Sequence, residues 1–157
     1  MARAIAVGRG SFALFLIDLD RIEQVNVTLG RDIGDRVLRE AAARMARALG
    51  RGATLSRLGS DDFAAFMEAG NLADAAKQAG ALLEHCREPY VIDCLAVTVT
   101  ASIGISLYPS HADDAITLMQ RAERALFQAK IRGRDCFYPG GATYSGGIGH
   151  PPRTARG

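Results

Sequence analysis

Phe12-Ala-Leu-Phe-Leu-Ile17 is an unbroken apolar run that ends on an acid, Asp18. A strand with one wet face alternates apolar and polar residues, so this run predicts a strand buried on both faces. It constrains the rest of the chain, because such a strand needs partners packed over both of its sides. The run is far too short to span a membrane. It also lacks the small-residue cleavage site of a signal peptide, and charged helical sequence comes directly after it.

The remainder of the chain supplies candidate partners. Ile33, Val37, Leu38, Ala41, Met45 and Leu49 recur at helical spacing, with Gly50 and Gly52 as stop signals. Thr54–Leu58 and Phe63–Met67 flank a Gly/Ser/Asp cluster and read as a β-hairpin. A second amphipathic helix carries Leu72, Ala75, Ala76, Ala79, Leu82 and Leu83. Beyond Pro89, Tyr90–Ile92 opens another hairpin with a long alternating arm. Val97, Val99, Ala101, Ile103, Ile105 and Leu107 face one way, and Thr98, Thr100, Ser102 and Ser106 the other. Asp113 or Asp114 caps a third helix running to about Lys130, with Leu118, Ala122, Ala125, Leu126 and Ala129 inward and Gly133 at its end. Strand, helix, hairpin, helix, hairpin, helix and short strand predict an α/β (α+β) domain, a mixed sheet with helices packed on it.

The 157 residues suffice for one domain. We take residues 1–138 as that domain and 139–157, rich in Gly, Pro, Ser and Thr, as a flexible tail or linker. The first ten residues resemble the last turns of a helix cut off upstream. A formal charge of +2 makes no case for nucleic-acid binding. Cys86, Cys94 and Cys136 are odd in number and form no CxxC pair, so they read as reduced thiols of a cytoplasmic protein, two or more of them buried.

Three clusters carry potential chemistry. Asp18-Leu-Asp20 closes the buried strand. Acids are not expected in a core, which places them at the sheet's rim, either as oxygen ligands for Mg²⁺ or merely as the start of a loop. Gly59-Ser-Asp-Asp-Phe63 offers two adjacent acids in a tight turn, where Asp is also favoured for turn geometry alone. Lys130 and Arg134 stand at a helix C-terminus, where cations complement the dipole and become phosphate clamps only if the acids lie nearby.

Taken together, the clusters resemble a known family. Leu16-Ile-Asp-Leu-Asp20 with Asn26, Gly30 and Gly34-Asp35 is similar to the stretch D-x-D-x-F-K-x-I-N-D-x-x-G-H-x-x-G-D of GGDEF domains, the diguanylate cyclase family. Arg57-Leu-Gly-Ser-Asp-Asp-Phe63 falls at R-x-G-G-D-E-F, as a GSDDF variant. Val99-Thr-Ala-Ser-Ile-Gly-Ile105 resembles a later core strand. Ala125-Leu-Phe-Gln-Ala-Lys130 with Gly133-Arg134 resembles A-L-Y-x-A-K-x-x-G-R. Four motifs in order over Phe12–Arg134 are specific where one alone is weak.

The resemblance implies a ferredoxin-like mixed sheet of the nucleotidyl cyclase and polymerase palm type. It implies cyclic di-GMP chemistry, in which two protomers each present one GTP and each 3′-hydroxyl attacks the other's α-phosphate. Asp18 and Asp61 would be carboxylate ligands to Mg²⁺ or Mn²⁺, with the Leu19 carbonyl as a further oxygen. Asp61 and Asp62 would be the catalytic acids, Asp62 one methylene shorter than the family's glutamate. Gly59 and Ser60 would line the nucleotide. Asn26 and Asp35 would read guanine, whose N1–H and N2 amine are donors, and Lys130 and Arg134 would bind the triphosphate. The implied partners are GTP, a second copy in a homodimer, and a fused sensory domain or EAL phosphodiesterase domain.

The departures set the expected activity. Ser60 replaces a glycine where the turn approaches the nucleotide. Glu23 replaces a lysine that faces phosphate, and an acid about 4 Å from a phosphate costs roughly 1–4 kcal/mol. Ile22, Val27 and Arg31 replace an aromatic, an Asp and a His. Gly50 and Ala53 occupy the places of the family's inhibitory R-x-x-D, so feedback binding of cyclic di-GMP is not expected there. The opening D-x-L-T-G-L-x-N-R motif is absent, so the domain reads as lacking its N-terminal segment. The resulting expectation is a GTP-binding module, weak or inactive as a cyclase, that regulates a fused or partner domain. An active cyclase and a non-binding dimerisation scaffold are the alternatives.

Overall fold

The computed structural model describes residues 10–141. In chain order the elements are β1 (Phe12–Leu19), α1 (Ile22–Leu29), α2 (Arg31–Leu49), β2 (Ala53–Arg57), β3 (Asp62–Glu68), α3 (Leu72–Arg87), β4 (Tyr90–Ile92), β5 (Leu95–Val97), β6 (Ala101–Tyr108), α4 (Ala115–Ile131) and β7 (Cys136–Pro139). The apolar run is β1, the middle strand of a five-stranded sheet ordered β2-β3-β1-β6-β7. It pairs antiparallel with β3 and β6, while β7 runs parallel to β6, so the sheet is mixed as expected.

Alternation along β1 sends its side chains into two cores. Ala13, Phe15, Ile17 and Leu19 pack with Val37, Leu38, Ala41 and Met45 of α2 and Ala75, Ala79, Leu82 and Leu83 of α3. Phe12, Leu14 and Leu16 pack with Leu118 and Ala122 of α4 on the opposite face. All eight residues of β1 are buried, which is why no polar position interrupts the run. Gly104 of β6 lies directly under α4, where a Cβ would collide with the Ala122 carbonyl and the Leu126 amide. Its absent side chain lets helix and sheet approach. Ser102 and Ser106, on that same face of β6, are fully buried.

The helix signals act as predicted. Asp114 caps α4 by accepting from the Thr117 amide at 2.8 Å. Gly50 and Gly133 follow α2 and α4 with positive φ. Two expectations need correction. The segment before α2 is itself a helix, α1, entered through Arg21 at φ 62° without a side-chain cap. It buries Ile22 fully, packs Val25 partly buried against the core and leaves Val27 87% exposed, so its apolar face spans only two turns. The long alternating arm is also two strands rather than one. β5 pairs with β4 in a separate two-stranded sheet, and the chain passes through Thr98–Thr100 before joining the central sheet as β6. Val97, Val99 and Ala101 stay buried through the break, so the alternation persists although the pairing partner changes.

Cys86 and Cys136 are buried free thiols and Cys94 is exposed. Burial pushes the Cys86 and Cys136 thiols up to about 12 and about 11. Among the described residues, no helix is long and apolar enough to cross a membrane. The expectations for the first ten residues and for the tail fall almost wholly outside the described residues. Within them, β7 runs to Pro139 and the Gly140 amide still donates to the Ile105 carbonyl at 2.6 Å.

Candidate functional site

Pairing register builds the site. Asp18, next to last in β1, stands directly opposite Asp62, the first residue of β3. The β2–β3 turn places Asp61 beside them, and the Leu19 amide donates to the Asp61 carbonyl at 3.1 Å. Carboxylate oxygens of Asp18, Asp61 and Asp62 all lie within 4.8 Å of one another, a spacing able to hold a metal ion. The fourth member comes from α4, whose last turn brings Lys130 to an ion pair with Asp18.

Three acids so close cannot all keep ordinary affinities for protons. Burial, opposed by Lys130 and assisted by the charge on Asp61, pushes Asp18 up to about 6. Asp61 is raised as well, by burial and then by Asp62. Asp18 Oδ1 is buried with no hydrogen-bond partner. Two crowded carboxylates and an orphaned third oxygen are the donor set that a hard divalent cation satisfies.

The two acids do stand at the end of β1, on the sheet's rim, but they are buried there. Asp18 is 7% exposed and Asp20 4%. Asp20 is moreover no part of the cluster. Its carboxylate accepts from Thr100 Oγ1 at 2.6 Å, Ser102 Oγ at 2.7 Å and the Asp135 amide at 3.1 Å. Local hydrogen bonds, rather than solvent, make burial of this carboxylate tolerable.

The turn that carries Asp61 is shaped by a residue whose role the motif alone did not disclose. Arg57 donates through Nε to the Gly59 carbonyl at 2.9 Å and through Nη2 to the Ser60 carbonyl at 2.6 Å. The only signal for it is an arginine two residues before the turn's glycine. Gly59 is exposed, and a Cβ there would meet only Asp62 Oδ2 at 3.6 Å, so the fold does not itself require glycine. The Ser60 hydroxyl lies 3.3 Å from Asp61 Oδ1.

The remaining predicted residues lie on other elements and make no hydrogen bond or ion pair to this cluster among the described residues. Asn26 on α1 lies against Gly34 of α2, where a Cβ would collide with Asn26 Oδ1. That oxygen is buried and unpartnered, and Asp35 follows on the exposed side of α2. Arg134 follows α4 in a left-handed conformation at φ 63°, and among the described residues its guanidinium enters no ion pair. Glu23 is exposed in the first turn of α1. The structure thus joins Asp18, Asp61, Asp62 and Lys130, and holds Asn26, Asp35 and Arg134 on separate elements. A cleft of about 650 Å³ between Ser11, Glu68, Asp74 and Lys77 lies at the other end of the sheet, where Phe12 pairs with Glu68.

Comparison with known proteins agrees with this architecture. The family model "Diguanylate cyclase, GGDEF domain" matches residues 1–136. The chain is 39% identical over 129 residues to MucR of Pseudomonas aeruginosa, a bifunctional diguanylate cyclase/cyclic di-GMP phosphodiesterase, covering 81% of this chain and 19% of MucR. It is 31% identical to the cyclic di-GMP phosphodiesterase NbdA of the same species, covering 82% of this chain and 16% of NbdA. The chain therefore spans less than a fifth of either relative. The crystal structure of the GGDEF domain of TpbB from P. aeruginosa superposes with a TM-score of 0.84 at 32% identity, covering 88% of this chain and 89% of that one. With a matching family model, a matching fold and an acidic turn at the sheet's end, the chain belongs to the GGDEF domain family of diguanylate cyclases.

Proposed function

We propose that this domain binds GTP with a divalent cation and serves cyclic di-GMP signalling as a weak or inactive cyclase that regulates a fused or partner domain, such as an EAL phosphodiesterase. We take 1–138 as the module and 139–157 as its linker. The observation that carries the proposal is the convergence of Asp18, Asp61 and Asp62 within 4.8 Å, beside Lys130.

Asp18, Asp61 and the Leu19 carbonyl are the residues that would hold Mg²⁺ or Mn²⁺. When bound, the ion supplies charge neutralisation on the phosphates and lowers the pKa of a 3′-hydroxyl. The protein's own residues do the rest. Lys130 exchanges Asp18 for phosphate oxygens, and Arg134 adds a second cation. Asn26 and Asp35 accept from guanine N1–H and N2. Asp62, exposed at the start of β3, takes the hydroxyl proton or supports the ion. Its side chain is one methylene short of glutamate, and a misplacement on that scale is enough to slow a step that depends on near-attack geometry.

An active cyclase is the second reading, and one observation favours it. Ser60 is exposed, with its hydroxyl near Asp61 Oδ1. It need not fill the nucleotide's space.

Turnover distinguishes the two readings. Incubation with GTP and Mg²⁺ or Mn²⁺, followed by chromatography for cyclic di-GMP, should give little product from the native chain. The double variant Ser60→Gly/Asp62→Glu should give at least about tenfold more, since each tenfold corresponds to about 1.4 kcal/mol of barrier. Vigorous native turnover that is lost in Asp61→Ala would establish the second reading instead.

A further inference from the structure

Three consecutive residues after α4, namely Gly133, Arg134 and Asp135, have φ of 114°, 63° and 51°. Two of them carry side chains, and side-chain-bearing residues persist in this region only where neighbouring contacts over-determine them. Those contacts can be named. The Arg134 amide donates to the Ala129 carbonyl at 3.1 Å. The Asp135 amide donates to Asp20 Oδ2 at 3.1 Å. Asp135 Oδ1 accepts from Arg87 Nε at 3.0 Å and Nη2 at 2.9 Å.

Segment 130–135 is therefore tied at both ends to two acids that are two residues apart at the end of β1. Lys130 is paired with Asp18, and Asp135 is held by Asp20. Arg134 lies inside this bracket. Asp20 is anchored in turn by Thr100 and Ser102 of the neighbouring β6 region, so the turn's position is referred to the centre of the sheet.

We propose that Asp20 is a positioning residue for the nucleotide's phosphates, acting through the Arg134–Asp135 turn with Arg87 as its second support. The inference rests on the reading of Lys130 and Arg134 as triphosphate cations. Once Lys130 leaves Asp18 for a phosphate, the Asp20–Asp135 bond is the tie that keeps Arg134 in register with β1. Asp20→Ala removes both acceptor oxygens, so the Asp135 amide, and with it the Arg134 turn, loses its attachment, whereas an asparagine could still offer one oxygen to that amide.

The test is a double-mutant cycle on GTP affinity in the presence of Mg²⁺, by calorimetry on the whole chain. Asp20→Ala and Arg134→Ala should each weaken binding about tenfold, and the double variant should match Arg134→Ala within about twofold, the mark of residues acting as one unit. Arg87→Gln, altered at the far end of the relay, should show the same non-additivity and covers the case in which Asp20→Ala does not fold. Asp20→Ala combined with Lys130→Ala should instead be additive. Independent effects at Asp20 and Arg134, or native affinity in folded Asp20→Ala, would overturn the positioning role while leaving GTP binding intact. Absence of GTP binding by the native chain would remove the nucleotide reading itself, and this role with it.

Discussion

Lys130 reaches from the last turn of α4 to Asp18 at the end of β1, and this ion pair joins the two halves of the candidate site. It also holds in place a carboxylate that burial and neighbouring acids disfavour. The site is therefore organised before any ligand arrives, at a cost to the stability of the fold.

That cost is measurable. Asp18 rises from 3.8 to about 6 on folding, so its ionisation opposes the folded state. The stability it contributes is fully present below about pH 4 and is lost as pH rises through 6. Asp18→Asn should then stabilise the cation-free domain at pH 8 by roughly 1–3 kcal/mol, with the gain vanishing near pH 4. Thermal denaturation of both proteins across that range is the check. A destabilised variant at pH 8 would show that the Lys130 pair outweighs burial.

His111 gives the opposite sign. Its Nδ1 accepts from the Leu107 amide at 3.0 Å, so the imidazole must be unprotonated there. Burial, then the charge of Arg121, holds its pKa below 6.5. The unfolded chain takes up this proton first, so the contribution is complete above about pH 6.5 and is lost as pH falls through the folded value. His111→Phe should lose about 1 kcal/mol at pH 8 and less at pH 5, read as the difference between variant and native melting curves.

A substitution at Gly34 would separate the proposed base recognition from stability. A Cβ there meets the end of the Asn26 side chain rather than backbone. Gly34→Ala should therefore shift the melting temperature by only a few degrees, as expected for roughly 1 kcal/mol, while weakening GTP binding about tenfold. Gly104→Ala is the contrast, because its Cβ would meet the backbone of α4. It should destabilise by roughly 2–4 kcal/mol. Equal melting of the two variants would contradict this assignment.

Arg44 is a structural counterpart on the far side of the sheet. It donates to the carbonyls of His85 at 3.2 Å, Glu88 at 2.5 Å and Pro89 at 2.7 Å, and lies 3.8 Å over the Tyr90 ring. Arg44→Ala should cost roughly 2–4 kcal/mol in chemical denaturation and leave GTP affinity below the melting range unchanged. Lysine should recover little, since one ammonium cannot reproduce the planar fork.

Legibility in the sequence depends on the range of each interaction. Periodicity reports burial, so β1, α2, α3 and α4 were legible from the repeats that hold Phe12, Met45, Leu82 and Leu118. Gly133 and Asp114 announced helix ends because their preferences are local. The eight-residue helix α1 buries only Ile22 fully and is too short to stand out by periodicity, and the break at Thr98–Thr100 is a change of pairing partner that alternation does not record. Asp18, Asp61 and Lys130 were recognisable as a set through motif order. Asp20 looked like their equal, and only its contacts with Thr100, Ser102 and Asp135, 80 to 115 residues away in sequence, give it a different task.

Everything proposed for this domain rests on a cation-dependent GTP site at Asp18, Asp61 and Asp62. Calorimetric titration of GTP into the native chain and Asp61→Ala, with Mg²⁺ and then with chelator, tests it most directly. Saturable binding that falls at least about tenfold both in Asp61→Ala and on chelation is the predicted result. No binding, or binding indifferent to Asp61 and Mg²⁺, would contradict it.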